Sequence, residues 1–257
     1  MTYGFTELAN RVVLVTGAST GIGAAVAKGF AGCGARVAVH YNSSAAEARA
    51  VVDAIAAAGG TAWAEQADLA APGNAAALVG RVIARAGSLD VLVNNAGALV
   101  ARHPFADAPQ EFYRRLIDLN LTSVVEASQA VLPQFRRQGR GAIINTTSIA
   151  ARNGGGPGTV LYAVTKAGVS TLTRGMAKEV AGDHIRVNAV APGIILTPLH
   201  AKLTSAEMMA GLIAQIPMRR AAEPEECVGA YLFLACESLS GYITGQVIEV
   251  NGGQLMP

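Results

Sequence analysis

Seven short runs rich in β-branched residues, at 11–16, 36–40, 61–66, 91–94, 141–145, 185–190 and 247–250, alternate with Ala-rich segments such as 23–32 and 45–58. A parallel partner strand can be reached only through a crossover of a dozen or more residues, so strand, helix and strand at this spacing build right-handed βαβ units. The chain is therefore expected to be α/β: a doubly wound parallel sheet of about seven strands with helices on both faces. Its 257 residues are 51% hydrophobic and 15% charged, and no Pro- or Ser-rich linker divides them, which suits one domain spanning 1–257. The ambiguous stretch is 198–218, where Met208, Met209, Leu212 and Ile213 recur at helical spacing after a Pro-containing turn. It reads either as a substrate flap or as an ordinary surface helix.

Charge and cysteine usage narrow the function classes. The net charge of +2 comes from 20 basic and 18 acidic residues scattered along the chain, so neither nucleic acid nor a membrane surface is an expected partner. No apolar run approaches the roughly 20 residues of a membrane span, and residues 1–10 lack a basic region followed by an apolar one. Cys33, Cys227 and Cys236 have no metal-ligand or disulfide spacing. A cytoplasmic protein without a metal is the expectation.

The first strand runs directly into GASTGIG at 17–23 and then into an Ala-rich segment. There Gly17, Gly21 and Gly23 let the backbone turn tightly and approach a pyrophosphate. Ser19, Thr20 and Ile22 share the turn, and a helix N-terminus supplies free N–H groups. This is the Rossmann-type arrangement for a dinucleotide, with an ordinary tight turn as the alternative. Farther on, Tyr162 and Lys166 stand four apart in a helical segment and so project from one face. A free phenol has a pKa of about 10, and a nearby ammonium is expected to lower it. Ser148 follows an apolar strand, at the sheet edge where ligands bind in such folds. Taken singly, each has a structural explanation as helix surface, cap or turn.

Together these residues fall into a known order: TGASTGIG at 16–23, NNAG at 94–97, Ser148, and YAVTK at 162–166. With Asp68-Leu69, Asn120 in DLNLT, IRVNAVAPG at 185–193 and GYITGQV at 241–247, the chain from about 10 to 253 resembles the short-chain dehydrogenase/reductase family in its single-domain form. The resemblance implies that Tyr162 gives a proton to a carbonyl oxygen during reduction and removes it during oxidation. It implies that Lys166 also holds the nicotinamide ribose, that Ser148 steadies the substrate oxygen, and that Asn120 helps hold a water linking Lys166 to solvent. Asn95, Ala96 and Gly97 would wall the adenine ribose, Asp68 and Leu69 would flank the adenine, and Pro192, Gly193, Ile195 and Thr197 would meet the nicotinamide carboxamide. One departure is the thirteen residues between Ser148 and Tyr162, one more than the family spacing; the glycine-rich stretch 154–158 can absorb it as a loop. Ser148 is preferred over its neighbour Thr147.

Cofactor choice turns on the end of the second strand, where an acid would bind the ribose 2′-hydroxyl of NAD. This chain has Tyr41 there, followed by Asn42, Ser43 and Ser44, neutral groups suited to a 2′-phosphate, with His40 as a helper. NADP is expected, with NAD as the alternative, because Thr20 stands where many family members carry an arginine. The substrate-facing stretches 98–105, 150–159 and 195–212 are mostly small or apolar, which suits a neutral, partly hydrophobic carbonyl or alcohol. Arg102 and His103 are the polar candidates there. The chain is similar to 3-oxoacyl carrier-protein reductases and to sugar or polyol dehydrogenases. Arg136, Arg137, Arg140 and Lys178 would face an acidic acyl carrier protein or simply solvent. The small, apolar residues of the helices predicted around 107–138 and 162–181, and the family's habit, imply a homotetramer. Two rival readings are a non-catalytic dinucleotide sensor, which could dispense with Ser148, Tyr162 and Lys166, and an epimerase or dehydratase, which usually carries a larger substrate domain.

Overall fold

All four side chains of β1 (Val12–Val15) are buried, and they alternate between two cores: Val13 and Val15 on one face of the sheet, Val12 and Leu14 on the other. That two-sided burial is why the strand is a continuous apolar run, as central parallel strands are. The computed structural model describes residues 5–198 and 204–256. Its remaining strands are β2 (Arg36–Tyr41), β3 (Thr61–Gln66), β4 (Val91–Asn94), β5 (Gly141–Thr146), β6 (Ile185–Pro192) and β7 (Val247–Val250). They form one sheet in the order β3-β2-β1-β4-β5-β6-β7, every pairing parallel.

The helices are α1 (Gly21–Gly32), α2 (Ala45–Ala57), α3 (Asn74–Ala86), α4 (Gln110–Ile117), α5 (Ser123–Gln138), α6 (Ala150–Asn153), α7 (Val160–Val180), α8 (Ala206–Ala214) and α9 (Glu225–Ala235). Phe30 of α1, Val51 of α2 and Tyr231 of α9 fill one core; Leu78 of α3, Phe135 of α5 and Val180 of α7 fill the other. Each fully buried Leu, Val or Phe adds about 1.5–3 kcal/mol over an exposed one. The chain lays down β1, β2 and β3 in one direction and then returns to place β4 on the other side of β1. The crevice at that reversal, beyond the carboxyl ends of the strands, is where ligands bind in open α/β sheets.

One local expectation needs correction. The expected helix over 107–138 is interrupted: α4 starts after Pro109, and a π-helical turn, Asp118–Thr122, separates it from α5. The wide turn carries the fully buried Asn120 to the backbone of Ala98, a contact that a regular helix pattern in the sequence does not encode. In the expected flap at 198–218, residues 206–214 form α8, capped by Ser205, whose Oγ accepts from the Met208 N–H at 3.2 Å. Residues 199–203 lie outside the described part of the chain.

Candidate active site

A cleft of about 950 Å³ opens across the carboxyl ends of β1, β4, β5 and β6. Of the expected site residues, Gly17, Ser19, Thr20, Gly21, Ile22, Gly23, Tyr41, Asn42, Ser43, Leu69, Asn95, Ala96, Gly97, Ser148, Tyr162, Lys166, Pro192, Gly193, Ile195 and Thr197 line it. Asp68 and Asn120 do not. Asp68 instead closes its own loop, its Oδ1 accepting from the Ala70 N–H at 3.1 Å.

The glycine turn is held from below by hydroxyl and amide groups of the chain itself. Thr16 Oγ1 donates to the Val93 carbonyl (3.2 Å) and accepts from the N–H groups of Asn95 and Ala96 (2.9 Å each). Asn95 Nδ2 returns two bonds, to the carbonyls of Thr16 (2.9 Å) and Gly17 (3.2 Å). Gly17 has φ of 63°, and a Cβ there would lie 2.9 Å from the Ala96 Cα. At Gly23 a Cβ would overlap the Gly17 carbonyl oxygen. Turn and NNAG segment thus fit together only without side chains at both positions. α1 then opens with no side-chain cap at Thr20 and no acid in its first turn, so its first N–H groups face the cleft as an anion site. These features, and the absence of any carboxylate among the described residues lining the cleft, fit a dinucleotide pyrophosphate.

At the far end, β5 and α7 bring Ser148, Tyr162 and Lys166 together. The Ser148 hydroxyl lies on the same wall of the cleft as the Tyr162 phenol, near enough to favour its ionised form. Burial pushes the Tyr162 phenol above its ordinary value, and Ser148 offsets part of that rise. Lys166 is 3% exposed, and its Nζ donates to the Thr146 carbonyl at 2.8 Å and lies 5.9 Å from the centre of the Tyr162 ring. Burial lowers the ammonium to about 8. The sequence suggested an ammonium that depresses the phenol; in the structure both groups are desolvated, and burial sets the direction of each shift. Asn120 stands behind this cluster, its Oδ1 accepting from the Ala98 N–H (2.8 Å) and its Nδ2 donating to the Ala98 carbonyl (3.0 Å). Gly97 separates it from Lys166: a Cβ there would lie 2.7 Å from Asn120 Oδ1 and 2.9 Å from Lys166 Nζ.

Thr147 and Ser148 are told apart by what they touch. Thr147 is buried, its hydroxyl donating to the Lys166 carbonyl (2.8 Å) and lying 2.8 Å from Ser170 Oγ, so it fastens α7 to the sheet. Ser148 faces the phenol. Between α6 and α7, Gly154, Gly155 and Gly158 all have φ between 73° and 79°, a glycine loop of the kind that can hold an extra residue.

Several contributors have no local signal in the sequence. His40, expected beside a ribose phosphate, instead uses both ring nitrogens on the backbone of Gly17 and Ala67. Thr16 and the Thr146 carbonyl carry no chemical signature in the sequence, and Gln215 and Gln254 reach the cleft from segments distant in sequence. Arg102 lines the cleft and donates to the Pro157 carbonyl at 3.0 Å, whereas the His103 ring packs on Phe112 at 4.6 Å.

The family model described as enoyl-(acyl carrier protein) reductase matches residues 17–254. The 3-oxoacyl-[acyl-carrier-protein] reductase FabG of Staphylococcus epidermidis is 42% identical over 247 residues, covering 96% of this chain and 100% of that protein. A putative NAD(P)-dependent gluconate 5-dehydrogenase from Beutenbergia cavernae, solved with bound NADP, superposes with a TM-score of 0.91 at 38% identity, over 98% of this chain and 99% of that one. The NADH-dependent reductase A1-R′ responsible for alginate metabolism gives 0.90 at 35%, over 98% and 100%. No helix among the described residues is long and apolar enough to cross a membrane. With the glycine turn, the NNAG wall and the Ser-Tyr-Lys cluster assembled on one parallel sheet, the chain belongs to the short-chain dehydrogenase/reductase family of NAD(P)-dependent oxidoreductases.

Proposed function

We propose that this enzyme interconverts a carbonyl and a secondary alcohol with NADP(H), with Ser148, Tyr162 and Lys166 as its catalytic residues and a 3-oxoacyl thioester as the substrate class. The observation that carries the reading is the gathering of Ser148, Tyr162 and Lys166 in one cleft, with the Lys166 ammonium 5.9 Å from the centre of the Tyr162 ring. The dinucleotide, when bound, supplies or accepts the hydride. Ser148 and the Tyr162 hydroxyl converge on the position a substrate oxygen would occupy, so both can hydrogen-bond the charge that develops there. Because burial keeps the phenol protonated, Tyr162 is poised as the acid of the reduction, with the Lys166 ammonium on the side from which the charge it leaves would be balanced. Asn120 positions this cluster through Ala98 rather than touching the reacting atoms.

NADP is favoured because Tyr41, Asn42 and Ser43 line the cleft at the end of β2 and no carboxylate does, so nothing there repels a 2′-phosphate. Leu69 flanks the adenine, with Asp68 shaping its loop; Pro192, Gly193, Ile195 and Thr197 face the nicotinamide. Apolar Leu99, Ile149, Met208 and Leu212 line the substrate end and suit an acyl chain. The similarity to the staphylococcal 3-oxoacyl-[acyl-carrier-protein] reductase supports the same class, with an acyl carrier protein as the natural donor. A second reading, a ketose or polyol dehydrogenase, is favoured by Asn153, Gln215 and Gln254 at the same end, which offer amides to substrate hydroxyls. We further propose one domain working as a cytoplasmic homotetramer; light scattering at micromolar concentration returning a monomer mass would reject the assembly.

The test follows oxidation of NADPH and NADH side by side against a β-ketoacyl thioester, a ketose and a simple diketone. Thioester turnover with the higher kcat/KM for NADPH is the expected result. Turnover confined to the ketose would transfer the enzyme to the polyol class, and tighter binding of NADH would reverse the cofactor assignment.

A further inference from the structure

His40, the penultimate residue of β2, lies against the glycine turn, and at 2% exposure it is sealed from solvent. Its Nδ1 is 2.9 Å from the Gly17 N–H, and its Nε2 is 3.0 Å from the Ala67 carbonyl. An N–H can only donate and a carbonyl can only accept. One protonation state satisfies both contacts: neutral imidazole with the proton on Nε2. The imidazolium would turn a proton toward the Gly17 N–H and break the contact that fixes the first residue of the turn. Gly17 is in turn the residue whose carbonyl abuts Gly23 and accepts from Asn95, so its displacement would propagate to the start of α1.

We propose that His40 is a proton-sensitive positioning residue for the dinucleotide: neutral, it holds Gly17 in the binding geometry, and its protonation releases the turn and weakens the cofactor. The inference rests on the reading that this turn holds the dinucleotide.

The surroundings decide where the switch acts. Burial is the largest influence and favours neutral imidazole; the bond to Ala67 opposes it. Arg81 of α3 also disfavours the cation, whereas Glu65, paired with His40 across β2 and β3, favours it. Glu65 is itself engaged by Arg81 and Arg85, each at 3.5 Å, so its pull on His40 is divided. Asp68 lies one residue beyond Ala67 and is bound within its own loop. α1 brings no charged residue in its first two turns. The net result is a pKa below the ordinary histidine value. The cofactor site is therefore intact at neutral pH and is lost as pH falls through the His40 pKa.

The test measures NADH binding by nicotinamide fluorescence from about pH 8 to about pH 5 in the wild type and in His40→Asn; NADH avoids the 2′-phosphate, whose own titration near about pH 6 would intrude with NADPH. Asn Oδ1 replaces Nδ1 as acceptor from Gly17 and does not titrate. The expected result is a wild-type Kd that climbs toward tenfold per pH unit at the acid end, against a flat profile for the variant. Parallel profiles would overturn the proposal. A second readout needs no variant: NMR titration of the His40 ring, one of four histidines. Bound NADH should lower its pKa, because coupling between ligand and proton is reciprocal; an unchanged value would equally sink the idea. Absence of NADH binding by the wild type at every pH would instead remove the reading of the turn itself, and this inference with it.

Discussion

The two ends of the cleft are built by opposite means. At the glycine turn the work is done by backbone: Gly17 and Gly23 leave room, Thr16 and Asn95 fasten neighbouring loops, and no ionised side chain takes part. At the other end, side chains dominate: a buried ammonium, a half-buried phenol and a serine on the same wall of the cleft. The first end should fail through steric exclusion and the second through loss of a proton path, so substitutions at each should separate binding from turnover.

The sharpest expected contrast is Tyr162→Phe, which keeps the ring and removes the proton. We expect kcat to fall by about 10²–10⁴-fold with dinucleotide Kd and melting temperature nearly unchanged; retention of most activity would break the comparison at its strongest point. Next comes the neighbouring pair. Ser148→Ala should lower kcat by about 10²-fold, whereas Thr147→Ala should cost about 0.5–1.5 kcal/mol of stability, since it removes a buried hydroxyl's bonds while Ser170 Oγ still donates to the Lys166 carbonyl, and leave kcat within a few-fold. The reverse pattern would make Thr147 the catalytic hydroxyl.

Gly23→Ala probes the other end. Its Cβ meets a backbone carbonyl that cannot swing away, and we expect about 1–3 kcal/mol of lost stability with weakened dinucleotide binding, read by denaturation and titration calorimetry. Lys166→Met should go the opposite way in stability, gaining about 1–2 kcal/mol while abolishing turnover. It removes the burial cost that lowers the ammonium to about 8, part of which is returned when the Thr146 carbonyl loses its donor. The sign is checkable by pH. Between about 8 and about 10 the unfolded wild-type chain binds more protons at this lysine than the folded one, so this group makes the wild type gain stability as pH rises, and Lys166→Met should lack that gain. The smallest effect is Gly80→Ala, on the exposed side of α3 with nothing within reach of a new Cβ: about 0.5–1 kcal/mol of added stability and no change in activity.

What the sequence disclosed follows the same division. The strands at 61–66, 91–94 and 247–250 appear with the bounds predicted for them, because their residues suit a pleated surface whether the strand is central and buried, like β4, or at a sheet edge, like β3 and β7. The glycine turn was legible for a similar reason: a missing Cβ is a property of the letter itself. His40 was not, since the letter permits either a phosphate contact or a backbone bridge, and only the approach of Gly17 and Ala67 decides. Nor could the interrupted helix around Asn120 be read, because its cause is a loop that lies more than twenty positions away. The electrostatics of Tyr162 and Lys166 reversed the simple pairwise expectation, since four-residue spacing gives proximity but says nothing of how much the surrounding protein desolvates each group.

The clamp between Thr16 and the NNAG segment also bears on how the chain matures. The threonine hydroxyl and its partners are separated by 79 and 80 positions, with β2 and β3 synthesised in between. At ribosomal elongation rates, the turn leaves the exit tunnel on the order of 4–16 seconds before its fastening exists. During that interval the nascent β1 has β2 on one side and an open edge on the other, so the glycine turn lacks its fastening until the fourth strand is made.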